Sequence, residues 1–65
     1  MAAKWNPDPK ALELLREQTV MHPSHRIAVG TRVLDWADVL DEVRRGTKFG
    51  RRYQEALLES IRAAR

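Results

Sequence analysis

The apolar residues between Leu34 and Gly46 follow one face of a helix more regularly than those of any other stretch. Asp35 precedes this apolar stripe as a candidate N-cap, and Asp38 places negative charge in the first helical turn. Gly46 follows the stripe and can end the helix in the left-handed conformation. The pattern predicts an amphipathic helix with its tryptophan turned into the core. The stripe residues, at i, i+3, i+4 and i+7, are Trp36, Val39, Leu40 and Val43.

A second helical pattern precedes this one, and it begins at the sequence NPDP. Asp8 is a candidate N-cap and Pro9 a suitable first helical residue, since proline fits the first turn of a helix. Pro23 disfavours helical geometry at the residue before it, so we expect this helix to end at about Thr19. We expect Trp5 to fold back on its apolar stripe. The stripe comprises Ala11, Leu14, Leu15 and Gln18, widened by Leu12.

A third helical pattern runs from about Phe49 to Ala63, with Leu58 lying off its stripe. The stripe repeats every three to four residues, which again favours an amphipathic helix. Its members are Phe49, Tyr53, Ala56, Leu57, Ser60, Ile61 and Ala64.

The segment 25–34 changes character, because it is rich in β-branched residues and contains Gly30–Thr31. A two-residue turn with glycine first favours a hairpin that pairs Val29 with Arg32 and Ile27 with Leu34. An extended linker is the alternative. The expected fold is therefore mainly α: a small three-helix domain with a short β-hairpin or extended insert between the first and second helices. Residues 1–65 form one domain, with 1–6 as a flexible lead-in.

Composition limits the size of the core and the classes of partner. The chain has 65 residues, no cysteine and 43% hydrophobic residues, so its core is small and has no disulfide to stabilise it. No apolar run approaches the roughly 18 residues of a membrane span, and the N-terminal sequence is unlike a signal peptide. We therefore expect a cytoplasmic protein without a membrane partner. The net charge of +3 permits an anionic partner without requiring one.

The most unusual stretch is RRGTKFGRR, residues 44–52, in which five of nine side chains are cationic and none is acidic. Its last three cations fall at the start of the third helix, where the backbone dipole disfavours positive charge. Its two glycines allow the backbone to approach a ligand closely. This basic edge is a candidate site for a partner or an anion. Its members are Arg44, Arg45, Lys48, Arg51 and Arg52.

The alternative interpretation is a solvated basic edge that neighbouring carboxylates partly neutralise. Arg51 and Glu55 are four residues apart and can pair on the helix surface. Three further carboxylates lie close in sequence, namely Asp38, Asp41 and Glu42.

Catalytic and metal-binding patterns are weak. His22 and His25 are three residues apart, but the sequence positions no third ligand and contains no cysteine. Ser24 beside His25 does not form a triad, and neither a P-loop nor a zinc-protease motif occurs. We therefore expect no enzymatic activity, no cofactor and no metal.

Small cores with wide apolar stripes are typical of domains that associate through their helices. The leading hypothesis is a non-enzymatic interaction module or adaptor. It would dock on a partner protein, or self-associate, through apolar helix edges and the basic edge. The candidate apolar contacts are Trp5, Leu12 and Leu58. The alternative is a nucleic-acid-binding protein whose basic edge contacts phosphates, although the turn between the last two helices fits a helix-turn-helix poorly.

Overall fold

Three helices and one antiparallel hairpin follow one another in the computed structural model, which describes residues 4–64. The hairpin lies between the first and second helices, which confirms the expected mainly α architecture with a hairpin insert. The elements are α1 (Pro9–Met21), β1 (Arg26–Val29), β2 (Arg32–Asp35), α2 (Trp36–Arg45) and α3 (Lys48–Ala63).

Helix α1 begins as predicted and ends two residues later than predicted. The Asp8 carboxylate accepts hydrogen bonds from the backbone N–H groups of Lys10 and Ala11, and Pro9 occupies the first helical position. The helix continues to Met21. Proline restricts only the residue directly before it, so the helix extends to that limit.

The hairpin has the predicted register, with Val29 opposite Arg32 and Ile27 opposite Leu34. Gly30 has φ of 61°, which lets a two-residue turn match the right-handed twist of the strands. Leu34 is buried on the inner face of the hairpin, and Ile27 packs against the same core. A strand pair this short is unstable by itself, so contact with the helices stabilises it.

Helix α2 has the predicted caps, and its tryptophan packs against the core as predicted, although it is not fully buried. Asp35 and Asp38 form a reciprocal capping box, and Gly46 ends the helix with φ of 70°. Trp36 is only half-buried at the edge of the core, and its ring stacks on His25 with centroids 5.6 Å apart. The reason is position: Trp36 is the first residue of the helix, beside the hairpin, whereas the core forms one and two turns later. The buried core cluster comprises Leu15, Leu34, Val39 and Val43.

Helix α3 begins at Lys48, one residue earlier than predicted, because Thr47 is its N-cap. Its buried residues are Gly50 and Gln54, neither of which belonged to the predicted stripe. Part of that stripe is exposed instead, namely Ala56, Ser60 and Ala64. Gly50 is buried against the α2 backbone, and Gln54 accepts a hydrogen bond from the Asp8 N–H. Three members of the predicted stripe still pack against the core, namely Phe49, Tyr53 and Leu57.

Candidate functional site

The turn between α2 and α3 surrounds the buried carboxylate of Glu42, whose side chain is 10% exposed. Thr47 Oγ1 donates to Glu42 Oε1 at 2.6 Å, and Arg45 Nη2 donates to Oε2 at 2.8 Å. Arg32 Nη2, from the hairpin, lies 3.6 Å from the same Oε2. Both oxygens of this carboxylate are therefore engaged by groups of the chain itself.

These contacts set the charge state of Glu42. The hydrogen bond from Thr47 is the main reason that the pKa of Glu42 lies below its ordinary value. Burial acts in the opposite direction, and the positive charges of Arg32 and Arg45 add to the lowering. The carboxylate is consequently ionised at neutral pH and contributes one fixed negative charge to the turn.

Two glycines determine the geometry of this turn, and both are covered by the chain itself. A Cβ on Gly46 would lie 2.3 Å from Trp5 Cδ1, and a Cβ on Gly50 would lie 2.0 Å from the carbonyl oxygen of Glu42. Gly50 thus lets the backbones of α2 and α3 touch. The close approaches that these two glycines allow are therefore to the Trp5 side chain and to the α2 backbone, whereas the sequence suggested an approach to a ligand.

Two cations of the basic edge are occupied by internal contacts. Arg45 binds Asp41 as well as Glu42, each at 2.8 Å. Arg51 Nε donates to the Gly46 carbonyl at 2.8 Å, and its guanidinium lies 5.0 Å from the centroid of the Trp5 ring. Among residues 4–64 Arg51 therefore makes these contacts in place of the expected pair with Glu55.

The remaining three cations of the basic edge are exposed, and none has an ion-pair partner within the described part of the chain. Two of them, Lys48 and Arg52, line an open cleft of about 440 Å³, whereas Arg44 lies outside its lining. We call this feature the basic cleft. Its lining residues are Arg32, Glu42, Thr47, Lys48, Phe49 and Arg52.

Arg32 is the residue of this cleft that the sequence analysis missed. It lies twelve or more positions before the basic edge in the sequence, and the hairpin brings it there. A signal existed, because the predicted pairing of Val29 with Arg32 sets Arg32 on the same face of the strand as Leu34. From this face the guanidinium of Arg32 reaches the buried Glu42 carboxylate, while the Arg32 side chain itself stays 55% exposed.

The predicted apolar contact residues are all at least partly covered. Trp5 Nε1 donates to the Val43 carbonyl at 2.6 Å, so the contacts that hold Trp5 are with the α2–α3 turn, whereas the sequence predicted packing on α1. Leu12 packs against the core cluster, and Leu58 is half-buried. The residues 1–3 of the predicted lead-in lie outside the described residues. The large hydrophobic residues that are most exposed were not predicted, and they are Val20, Met21 and Val33.

A second, smaller cavity of about 230 Å³ lies at the other end of α2, lined by Gln18, His22, His25 and Trp36. Its histidines were the only candidates for a metal site in the sequence. Within residues 4–64 no group of three or more His, Cys, Asp or Glu side chains is placed to hold a metal ion. None of the helices described is long and apolar enough to cross a membrane.

Comparisons of this chain with protein-family models, with curated proteins and with solved structures find no match. The basic cleft offers cationic donors and one apolar wall. Its hydroxyl and its carboxylate are hydrogen-bonded to each other. This arrangement can bind an anionic group.

Proposed function

We propose that this chain is a small non-enzymatic interaction module that docks on a partner protein through the basic cleft. The observation that carries the proposal is the charge balance of the cleft. Lys48 and Arg52 face it without a carboxylate partner among residues 4–64, while Glu42 is already bound by other groups. Complementary charge on a partner would orient the docking and accelerate the encounter.

The chemistry of the cleft favours binding over catalysis. Thr47 Oγ1 donates to Glu42 and accepts from the N–H of Gly50 at 3.1 Å, so this hydroxyl is not poised as a nucleophile. Glu42 is held ionised by its neighbours, which makes it a poor general acid. The cleft is also open to solvent, whereas catalytic sites usually exclude water.

The test is affinity capture from nuclease-treated extract of the source cell, with the immobilised full chain as bait. The double variant Lys48→Glu/Arg52→Glu reverses the charge of the cleft. Lys48 is the first residue of α3, where glutamate is favoured, and Arg52 is exposed, so we expect this variant to fold. Lys10→Glu/Arg16→Glu is the matched control, because it makes the same charge change on exposed positions of α1.

We expect the wild-type chain and the α1 control to capture the same proteins. The cleft variant should fail to capture at least some of them. Circular dichroism would confirm that the three chains are equally helical. If the cleft variant retains the same proteins as the other two, docking through the basic cleft is refuted. Analytical ultracentrifugation of the same chains tests whether the partner is a second copy.

Nucleic acid is the second candidate, supported by the exposure of Arg44 at the end of α2 and of Lys48 and Arg52 at the start of α3. Phosphate contacts weaken steeply as salt rises, because binding releases condensed counterions. Titration with duplex and single-stranded DNA at two salt concentrations tests this candidate. Saturable binding at low salt that is lost at high salt would favour it, and no binding at low salt would eliminate it.

A further inference from the structure

We infer that the basic cleft receives a short acidic peptide segment in which two carboxylate side chains flank an apolar one. This inference rests on the proposed function and specifies its ligand. Three features of the cleft carry it: the number of its charges, the position of its apolar wall and the fixed carboxylate at its floor.

The net charge of the cleft determines how many carboxylates the peptide must carry. Three cationic side chains and one carboxylate line the cleft, an excess of two positive charges. Arg32 is only loosely held by Glu42, at 3.6 Å, and its side chain is 55% exposed. Lys48 and Arg52 are one helical turn apart on α3, so two carboxylates on one short segment can each meet a cation. The segment must be bent, because in an extended chain the residue between the two carboxylates points to the opposite face. Two carboxylates would neutralise the excess.

The apolar wall is Phe49, which lies between the two α3 cations in sequence and lines the cleft. Its ring packs against Tyr53, with centroids 5.8 Å apart, and it is half-buried against the core. The ring is therefore fixed, and its uncovered part offers a rigid apolar surface at small entropic cost. An apolar side chain between two carboxylates would meet this surface.

The floor of the cleft disfavours a nucleic acid as the ligand. Glu42 is ionised there, and the Asp41 carboxylate beside it on α2 is 56% exposed. A phosphodiester backbone carries negative charge at every nucleotide and requires a row of cations. Within residues 4–64 that row is interrupted, since Arg45 and Arg51 are bound internally. A peptide can instead place its two charges where the cations are.

The experiment is a fluorescence-anisotropy titration of the full chain with a labelled peptide of sequence GSELEGS. Two matched peptides isolate the features: GSQLQGS removes the charges and GSEGEGS removes the apolar side chain. A short duplex DNA is the fourth probe. The protein variants are the cleft variant Lys48→Glu/Arg52→Glu and the α1 control Lys10→Glu/Arg16→Glu.

We expect GSELEGS to bind the wild-type chain and the α1 control with similar affinity. Binding should fall about tenfold or more on removing the peptide charges or on reversing those of the cleft, because close charge pairs are lost. It should fall about threefold or more without the apolar side chain, because little area is removed from water. NMR shifts should centre on the amide resonances of Lys48, Phe49 and Arg52.

Equal binding of GSELEGS and GSQLQGS, or tighter binding of the DNA than of GSELEGS, would overturn the inference. So would a failure of all three peptides to bind. The capture experiment has a separate readout. In these cases the proposed function therefore still stands if the wild-type chain and the α1 control capture proteins that the cleft variant does not.

Discussion

The chain contains two Gly–Thr turns, and they differ in almost everything except their sequence. Gly30–Thr31 closes the hairpin, and Gly46–Thr47 joins α2 to α3. Both glycines have positive φ, 61° and 70°. A Cβ on Gly30 would meet nothing within 4 Å, whereas one on Gly46 would collide with the Trp5 ring. Thr31 is exposed, whereas Thr47 caps α3 and holds Glu42.

The contrast shows that a turn residue makes tertiary contacts only where residues distant in sequence pack against the turn. The backbone need for glycine is local and is the same at both turns. At Gly46–Thr47, however, Trp5 arrives from the N-terminal segment and Arg32 from the hairpin. The α2–α3 turn thus became a packed, charged junction, while the hairpin turn stayed a simple reversal of direction.

The largest expected effect comes from Gly50→Ala, which pushes a methyl group into the backbone of α2. A Cβ 2.0 Å from the Glu42 carbonyl requires α2 and α3 to separate, since backbone atoms cannot move aside. We expect the free energy of unfolding to fall by about 3 kcal/mol, within the upper range for overpacked cores. Urea unfolding followed by circular dichroism measures it. Ser60→Ala, at an exposed position of α3, is the control and should change stability little.

A substitution at each turn glycine tests the comparison directly. Gly30→Ala should cost about 1 kcal/mol, the penalty of a left-handed alanine in open space. Gly46→Ala should cost about 2 kcal/mol or more, because it adds the displacement of Trp5 to that same penalty. Urea unfolding measures both, and tryptophan fluorescence in a Trp36→Phe background reports on Trp5. Equal costs, with unchanged Trp5 emission, would show that the indole does not depend on the α2–α3 turn.

The two threonines give a smaller contrast. Thr47→Val should lower the free energy of unfolding by about 1 kcal/mol, because α3 loses its N-cap and Glu42 loses a hydrogen bond. Thr31→Val should change it by less than about 0.5 kcal/mol, as is usual at exposed positions. Both variants keep the shape of the side chain, so urea unfolding at pH 7 compares them fairly. A Thr31 variant as unstable as the Thr47 variant would remove the distinction between the turns.

The pH dependence of stability sharpens the role of Glu42. Its pKa is lowered in the folded chain from an unfolded value of 4.5, so unfolding takes up a proton at acidic pH. The stabilisation is fully present above pH 4.5 and is lost as the pH falls through the folded pKa. We expect Glu42→Gln to flatten the loss of stability on acidification, measured by urea unfolding from pH 7 to pH 3.

Glu59→Gln is the control for this measurement, because Glu59 is an exposed carboxylate on α3. Its unfolding curve should follow the wild-type dependence on pH. If the Glu42→Gln chain instead loses stability in parallel with the wild type, the hydrogen bond from Thr47 does not stabilise the ionised carboxylate.

The sequence by itself determined the local features, in which all the interacting groups lie within a few residues of one another. Asp8 and Asp35 were identifiable as N-caps, Gly46 as a helix end and Gly30–Thr31 as the hairpin turn. Each depends on backbone geometry and hydrogen bonds between near neighbours, which the order of residues specifies directly. The hairpin register follows in the same way, because a two-residue turn fixes which residues pair.

Only the tertiary structure decided which side chains meet from distant parts of the chain. The Trp5 indole reaches Val43 across 38 positions, and the Asp8 N–H reaches Gln54 across 46. These contacts depend on how α3 packs on α2. Gly50 sets that packing, because it lets the α3 backbone come close to the α2 backbone, and the apolar periodicity of the sequence does not predict this contact. The basic edge could be predicted from the sequence, because its cations are neighbours in the chain. Its division into bound and exposed cations, with Arg32 added from the hairpin, required the helices to be in place.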